Sequence, residues 1–204
     1  MTTPQLRREK IYDPVLRGIH AWNGIAILLL ILSAQVAHWI ELTPEAAILW
    51  RLHAWTGYAL IIGLAARISW GLNGPHHARF GAMWHAAAWW RALRTRQWFT
   101  EPEGWGHHPL ASAAYLLFYL GVLIMAATGL ALAAIEQGRG PLVNWLGHDV
   151  TLKSVFMTPH DVLEEFVLVF VLTHVAALIL HEAHHGVPMA QAMLSGYQYR
   201  KEKE

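Results

Sequence analysis

The chain has 204 residues, of which 55% are hydrophobic and 14% charged, and its mean hydropathy is +0.29; this is the composition of a membrane protein. It has no cysteine, which excludes disulfides, thiolate metal sites, iron–sulfur clusters and covalent haem attachment through C-x-x-C-H. A formal net charge of +1 gives no reason to expect a nucleic acid, whereas 14 histidines and 11 tryptophans suit metal ligation and interfacial anchoring.

The leader, "MTTPQLRREK", has no small-residue cleavage site behind a short apolar core, so no removable signal peptide is expected. Four windows then supply the roughly 20 apolar residues that cross about 30 Å of hydrocarbon: 19–40, 48–70, 110–135 and 162–180. Asp13-Pro14, Thr43-Pro44 and Thr158-Pro159 each set a capping side chain before a proline, and Gly186 suits the end of the fourth span. The expectation is an all-α, integral membrane four-helix bundle, with residues 1–204 forming a single domain.

Basic residues orient it. Arg7, Arg8, Lys10 and Arg17 lie before or at the start of the first span, Arg79, Arg91, Arg94 and Arg96 in the second connection, and Arg200, Lys201 and Lys203 in the tail. The other two connections hold only Arg139 and Lys153. Both termini and the second connection are therefore expected in the cytoplasm. Between the second and third spans, "RFGAMWHAAAWWRALRTRQWF" mixes Trp, Arg and Ala at helical spacing, as in an interfacial helix along the inner leaflet; an ordinary solvated helix is the alternative.

Histidines recur at matched depths. His160 and His174 are fourteen residues apart, which on a helix leaves them on one face and about 21 Å apart along the axis. The first two spans begin with "HAWNG" (20–24) and "HAWTG" (53–57) and run in opposite directions. The layout pairs His20 with His174 toward the cytoplasm and His53 with His160 toward the outside, a geometry that suits bis-imidazole ligation of two haems. Gly24 and Gly57 lie one turn beyond their histidines, where a larger side chain would press on a porphyrin edge; the fourth span offers no such glycine. His38 shares a face with His20 and rivals His53, but lacks the H-x-x-x-G context. Asn23 and Thr56 are candidate acceptors for the ligands' second N–H, with a helix carbonyl as an equal alternative.

These stretches resemble the bacterial di-haem b-type cytochromes: cytochrome b-561, the Ni/Fe-hydrogenase cytochrome b subunit and the formate dehydrogenase gamma subunit. The resemblance runs from "DPVLRGIHAWNG" through "RLHAWTGY", "RISWGLNGPHHARF" and "GHHPLASAAYLLFYLGVLIMAATGL" to "HDVLEEFVLVFVLTHVAALILHEAHHG", and its most specific element is the histidine pair of the last helix. It implies a four-helix bundle with two haems b that passes electrons between a quinone pool and a redox partner, with His20, His53, His160 and His174 as axial ligands. The partner would be a periplasmic or membrane protein, hydrogenase-like or cytochrome c-like, or a small oxidant such as superoxide. No fused reductase domain is expected. Direction of flow, haem potentials and any homo-oligomer stay open.

Other signals compete or add. "HEAHH" at 181–185 satisfies H-E-x-x-H and raises an intramembrane zinc protease with Glu182 as base; no later Asp motif completes it. A cofactor-free membrane anchor is the third reading. Arg17, Arg51 and Arg67 lie near the expected haem depths, where propionates would offset the cost of burying a guanidinium, with Arg51 for the outer haem and Arg17 or Arg67 for the inner; snorkelling to lipid phosphate is the alternative. Glu164 and Glu165 could relay protons to a quinone or simply favour a helix start. His107 and His108 are further quinone-site candidates, and loop 136–159 is the expected docking place for a periplasmic partner.

Overall fold

Asp13 opens the first helix. Its Oδ1 accepts the backbone N–H groups of Val15 and Leu16, each at 3.0 Å, satisfying donors that the first turn leaves over. The computed structural model describes residues 6–97, 105–106, 108–147 and 149–201. Among these, four helices are long and apolar enough to cross a membrane: α1 (Pro14–Trp39), α2 (Ala46–Asn73), α4 (Pro109–Gln137) and α6 (Lys153–His185). Short helices α3 (Ala86–Thr95), α5 (Val143–Leu146) and α7 (Ala192–Ser195) fill the connections.

The apolar side chains of the long helices face outward. Ile25, Leu32, Ile62, Leu117, Leu172 and Ile179 are all more than half exposed, and only 6% of the most apolar window of α6 is buried within the protein. A chain that leaves such surface open has lipid as its solvent.

Two compact units divide the chain. One comprises the segments up to His20, from Ala66 to Leu117 and from Val171 onward; the other comprises Ala21–Ala65 and Phe118–Phe170.

The first unit carries a two-stranded ribbon. β1 (Leu6–Lys10) pairs antiparallel with β2 (Tyr197–Lys201), Leu6 opposite Lys201 and Lys10 opposite Tyr197. The ribbon departs from the all-α expectation, and it is made by strands that no local pattern could pair. Gly196 turns the chain into it at φ +88°, and a Cβ there would lie 2.7 Å from the Tyr12 carbonyl, so no other residue fits without a shift. Arg7 and Arg200, opposite one another, both reach the Trp105 ring, at 5.9 and 5.1 Å. Gln198, buried, accepts from the Gly106 N–H at 3.0 Å and donates to its carbonyl at 3.3 Å. Beneath the ribbon Ile11, Tyr12, Leu16, Ala78 and Ala192 form a small core against Trp70 and Met193. The Trp70 indole donates to the Asp13 carboxylate, tying the end of α2 to the start of α1.

The stretch expected as one interfacial helix is broken. Residues 76–78 and 80–83 form tight 3₁₀ turns, and α3 spans only ten residues. Arg67 is packed against these turns: buried on α2, it donates to the Ala78 carbonyl at 3.1 Å, reaches Met83 Sδ at 3.7 Å and stacks its guanidinium 4.4 Å from the Phe80 ring.

In the second unit α1 and α2 approach closely at Gly63. The Trp22 indole donates to the Ala59 carbonyl at 2.9 Å and the Asn23 amide to the Gly63 carbonyl at 3.3 Å; a Cβ on Gly63 would stand 1.9 Å from Asn23 Oδ1. Phe118 and Phe170 stack between α4 and α6, centres 4.0 Å apart. The last long helix begins earlier than the expected residue 162. Pro159 sits inside it, and its first turn is held by the 2.6 Å ion pair of Lys153 with Glu136. His160 thus lies two turns into a regular helix.

Candidate functional site

His53 on α2 and His160 on α6 face one another in the second unit, ring centres 6.4 Å apart and planes inclined at 69°. Each ring is fixed through Nδ1. Ser33 Oγ donates to the Leu30 carbonyl at 3.0 Å, which uses its proton, and His53 Nδ1 lies 3.2 Å from both that oxygen and the Leu30 carbonyl. Thr128 Oγ1 likewise donates to Ile124 and Met125 carbonyls at 3.1 and 3.0 Å and stands 3.0 Å from His160 Nδ1. With both hydroxyl protons engaged, the oxygens accept from Nδ1–H, so each neutral imidazole keeps an unprotonated Nε2. Gly129 makes the approach possible, since a Cβ there would lie 3.3 Å from His160 Cε1.

The spacing fits a shared metal. A ring nitrogen is about 1.1–1.2 Å from the ring centre and a nitrogen–metal bond about 2.0–2.1 Å, so two axial imidazoles on one ion have centres about 6.2–6.6 Å apart. The donor set, two neutral nitrogens with anchored tautomers, suits haem iron. A cavity of about 30 Å³ lies beside His53, lined by residues of all four long helices, among them Leu30, Leu60, Val122, Met125 and Val167.

His38 is elsewhere: its ring meets Trp50 edge-on at 5.0 Å, and Trp50 in turn meets His53 at 5.7 Å. Sequence reasoning missed Ser33 and Thr128 and named Thr56 for His53, with Asn23 for His20. Those two serve the helices, Asn23 donating to Gly63 and Thr56 to the Leu52 carbonyl at 2.9 Å. A hydroxyl one turn from the histidine on its own helix was the wrong signal; the acceptors come from neighbouring helices.

His20 on α1 and His174 on α6 both fall in the first unit, where the Tyr115 ring stands edge-on to His174 at 5.9 Å. A Cβ on Gly24 or Gly57 would meet no protein atom within 4 Å, so both glycines border open space. Of the three arginines, Arg17 donates to the carbonyls of Met193, at 3.2 Å, and of Leu194, clamping α7, and Arg67 is engaged as described; Arg51 is exposed.

Gln35 donates to Glu164 at 3.0 Å, and Glu164 lines the cavity beside His53; Glu165 is exposed. In the H-E-x-x-H segment the His181 and His185 rings lie 4.5 Å apart, while Glu182 accepts from the Met189 and Ala190 N–H groups at 3.4 Å. Among the described residues no three His, Cys, Asp or Glu side chains gather to hold a metal, so a zinc centre there lacks a third ligand. His108 accepts from the Leu110 N–H at 3.2 Å and borders a cavity of about 290 Å³ with Trp89 and Leu93; His107 lies outside the described residues.

Four membrane-length helices carrying opposed, tautomer-fixed imidazoles are the marks of a membrane-bound b-type cytochrome. From residue 11 to residue 196 the sequence matches the prokaryotic cytochrome b561 family, and the chain belongs to that family. Among its relatives is a probable Ni/Fe-hydrogenase B-type cytochrome subunit of Azotobacter vinelandii, 29% identical over 163 residues that cover 74% of this chain and 68% of the relative. Proteins of the same description from Cupriavidus necator (26% identical, 97% of this chain and 89% of the relative) and Rhodobacter capsulatus (25%, 94% and 82%) match along more of their length. No solved structure gives a significant match. The protein is therefore a haem-binding, electron-transporting protein of the prokaryotic membrane.

Proposed function

We propose that this chain carries electrons across the membrane through two b haems, one held by His53 and His160 and the other by His20 and His174, in a single four-helix domain. The electrons pass between a quinone pool and a redox partner. The relatives' names point to a Ni/Fe hydrogenase as that partner. Each haem, when bound, supplies a one-electron couple at its iron. The chain's residues do the rest: Ser33 and Thr128 hold the tautomer, Gly24 and Gly57 leave room for the macrocycle, and exposed Arg51 is available to a propionate. The basic charge of the termini and of the second connection supports a cytoplasmic position for those segments, with α3 along the inner leaflet. Residues 138–152, the part of the third connection that precedes α6, then face the periplasm and the partner.

The observation that carries this reading is the His53–His160 pair, spaced at 6.4 Å with both Nδ1 atoms anchored to hydroxyls. A reduced-minus-oxidised visible spectrum with a haem-to-protein ratio tests it. Two low-spin b haems per chain are expected, falling to one in His160→Ala and in His174→Ala. One haem in the native protein, or an unchanged spectrum in either variant, sinks the assignment. Quinol-dependent reduction of the same material tests the quinone.

A further inference from the structure

Glu164 is the twelfth residue of α6, past the first turn in which a helix favours negative charge; it is half-buried, with Leu163, Phe166 and Val167 close by in sequence and Asp161 and Glu165 as acidic neighbours. It follows His160 by four residues and so shares that residue's face of the helix. Its Oε1 accepts from the Gln35 amide at 3.0 Å, and it borders the same cavity as His53. The carboxylate is thus placed beside both histidines of one pair, held by a neutral amide rather than by a cation.

We propose that Glu164, positioned by Gln35, lowers the reduction potential of the haem bound between His53 and His160. A nearby negative charge favours the ferric state, which carries one more positive charge than the ferrous. The inference rests on the two-site reading above. It gives the group a task besides proton relay, and it makes the two haems unequal through a side chain of this protein.

Potentiometric titration of the purified holoprotein, followed in the visible bands, tests it. The haem concerned is identified as the one missing from His160→Ala. Glu164→Gln is expected to favour reduction of that haem by about tenfold, a rise of 59 mV for one electron, with the other haem and the haem content unchanged. Glu164→Asp, which keeps the charge but withdraws it, should give a smaller rise, and it carries the test should the glutamine variant bind no haem. Glu165→Gln, at an exposed position, should move neither. No shift at full haem content, or an equal shift of both haems, overturns the proposal. Native protein with fewer than two haems instead overturns the reading beneath it.

Discussion

At position 128 a threonine hydroxyl, together with the Met125 carbonyl, meets Nδ1 of His160 and leaves Nε2 for a metal. Its proton goes to backbone carbonyls of α4, its oxygen faces Nδ1, and the ring is therefore protonated there and bare at Nε2. Thr128→Val keeps the shape and removes one acceptor, leaving His160 the Met125 carbonyl alone, so the ring is held less firmly. Such outer contacts are worth about 10–100-fold in metal affinity. The variant is expected to lose one of its haems to a haem-scavenging protein correspondingly faster. Thr56→Val, whose hydroxyl serves only the Leu52 carbonyl, should release haem at the native rate. Equal rates for the two variants would show that the hydroxyl does not orient a ligand. The ligand candidates were legible because periodicity puts His160 and His174 on one face and because the pentapeptides at 20 and 53 repeat. Ser33 and Thr128 were not, since their distance to the histidines is set by how neighbouring helices pack, which no spacing along one chain reveals.

The long helices were readable for a similar reason: each is a continuous apolar run, and its existence depends on nothing beyond its own residues. Their ends were less so. Pro159, a signal for a helix start, lies in the second turn of α6, whose first residue Lys153 pairs with Glu136 from another helix. The β ribbon lay beyond local reading altogether, its strands being separated by nearly the whole sequence. Its stability has a titratable component in Tyr12, whose hydroxyl is pushed up to about 12 from 10 by burial and, secondarily, by Tyr115. The sign follows from proton binding. Between pH 10 and 12 the unfolded tyrosine gives up its proton while the folded one holds it, so stability that is complete below pH 10 is lost as pH rises through that window. Two pKa units correspond to about 2–3 kcal/mol. Limited proteolysis of the terminal strands should therefore accelerate between pH 10 and 12 in the native protein and much less in Tyr12→Phe. Equal acceleration in both would place the alkaline weakness elsewhere.

For the whole molecule the ribbon adds something charge alone could not. Because β1 and β2 hydrogen-bond to one another, the two terminal segments lie on one side of any membrane the chain spans, whatever the basic residues do. An even number of crossings requires the same, and four helices satisfy it. The charges then choose the side: eleven basic residues fall in the terminal segments and the second connection, and two in the remaining connections. The native chain has no cysteine, so single cysteines can report the result without background. In intact cells a membrane-impermeant maleimide should label Asn144→Cys, exposed on α5, and should reach Lys10→Cys, exposed on β1, only after the inner membrane is opened. Labelling of Lys10→Cys in sealed cells would invert the topology, moving the basic ribbon and α3 to the periplasmic face and the segment proposed for partner docking to the cytoplasm. Labelling of both positions in sealed cells would contradict an even count of spans with paired termini inside. The outcome bears on function directly, because the side on which residues 138–152 emerge fixes which compartment's redox protein can reach the helix that carries His160.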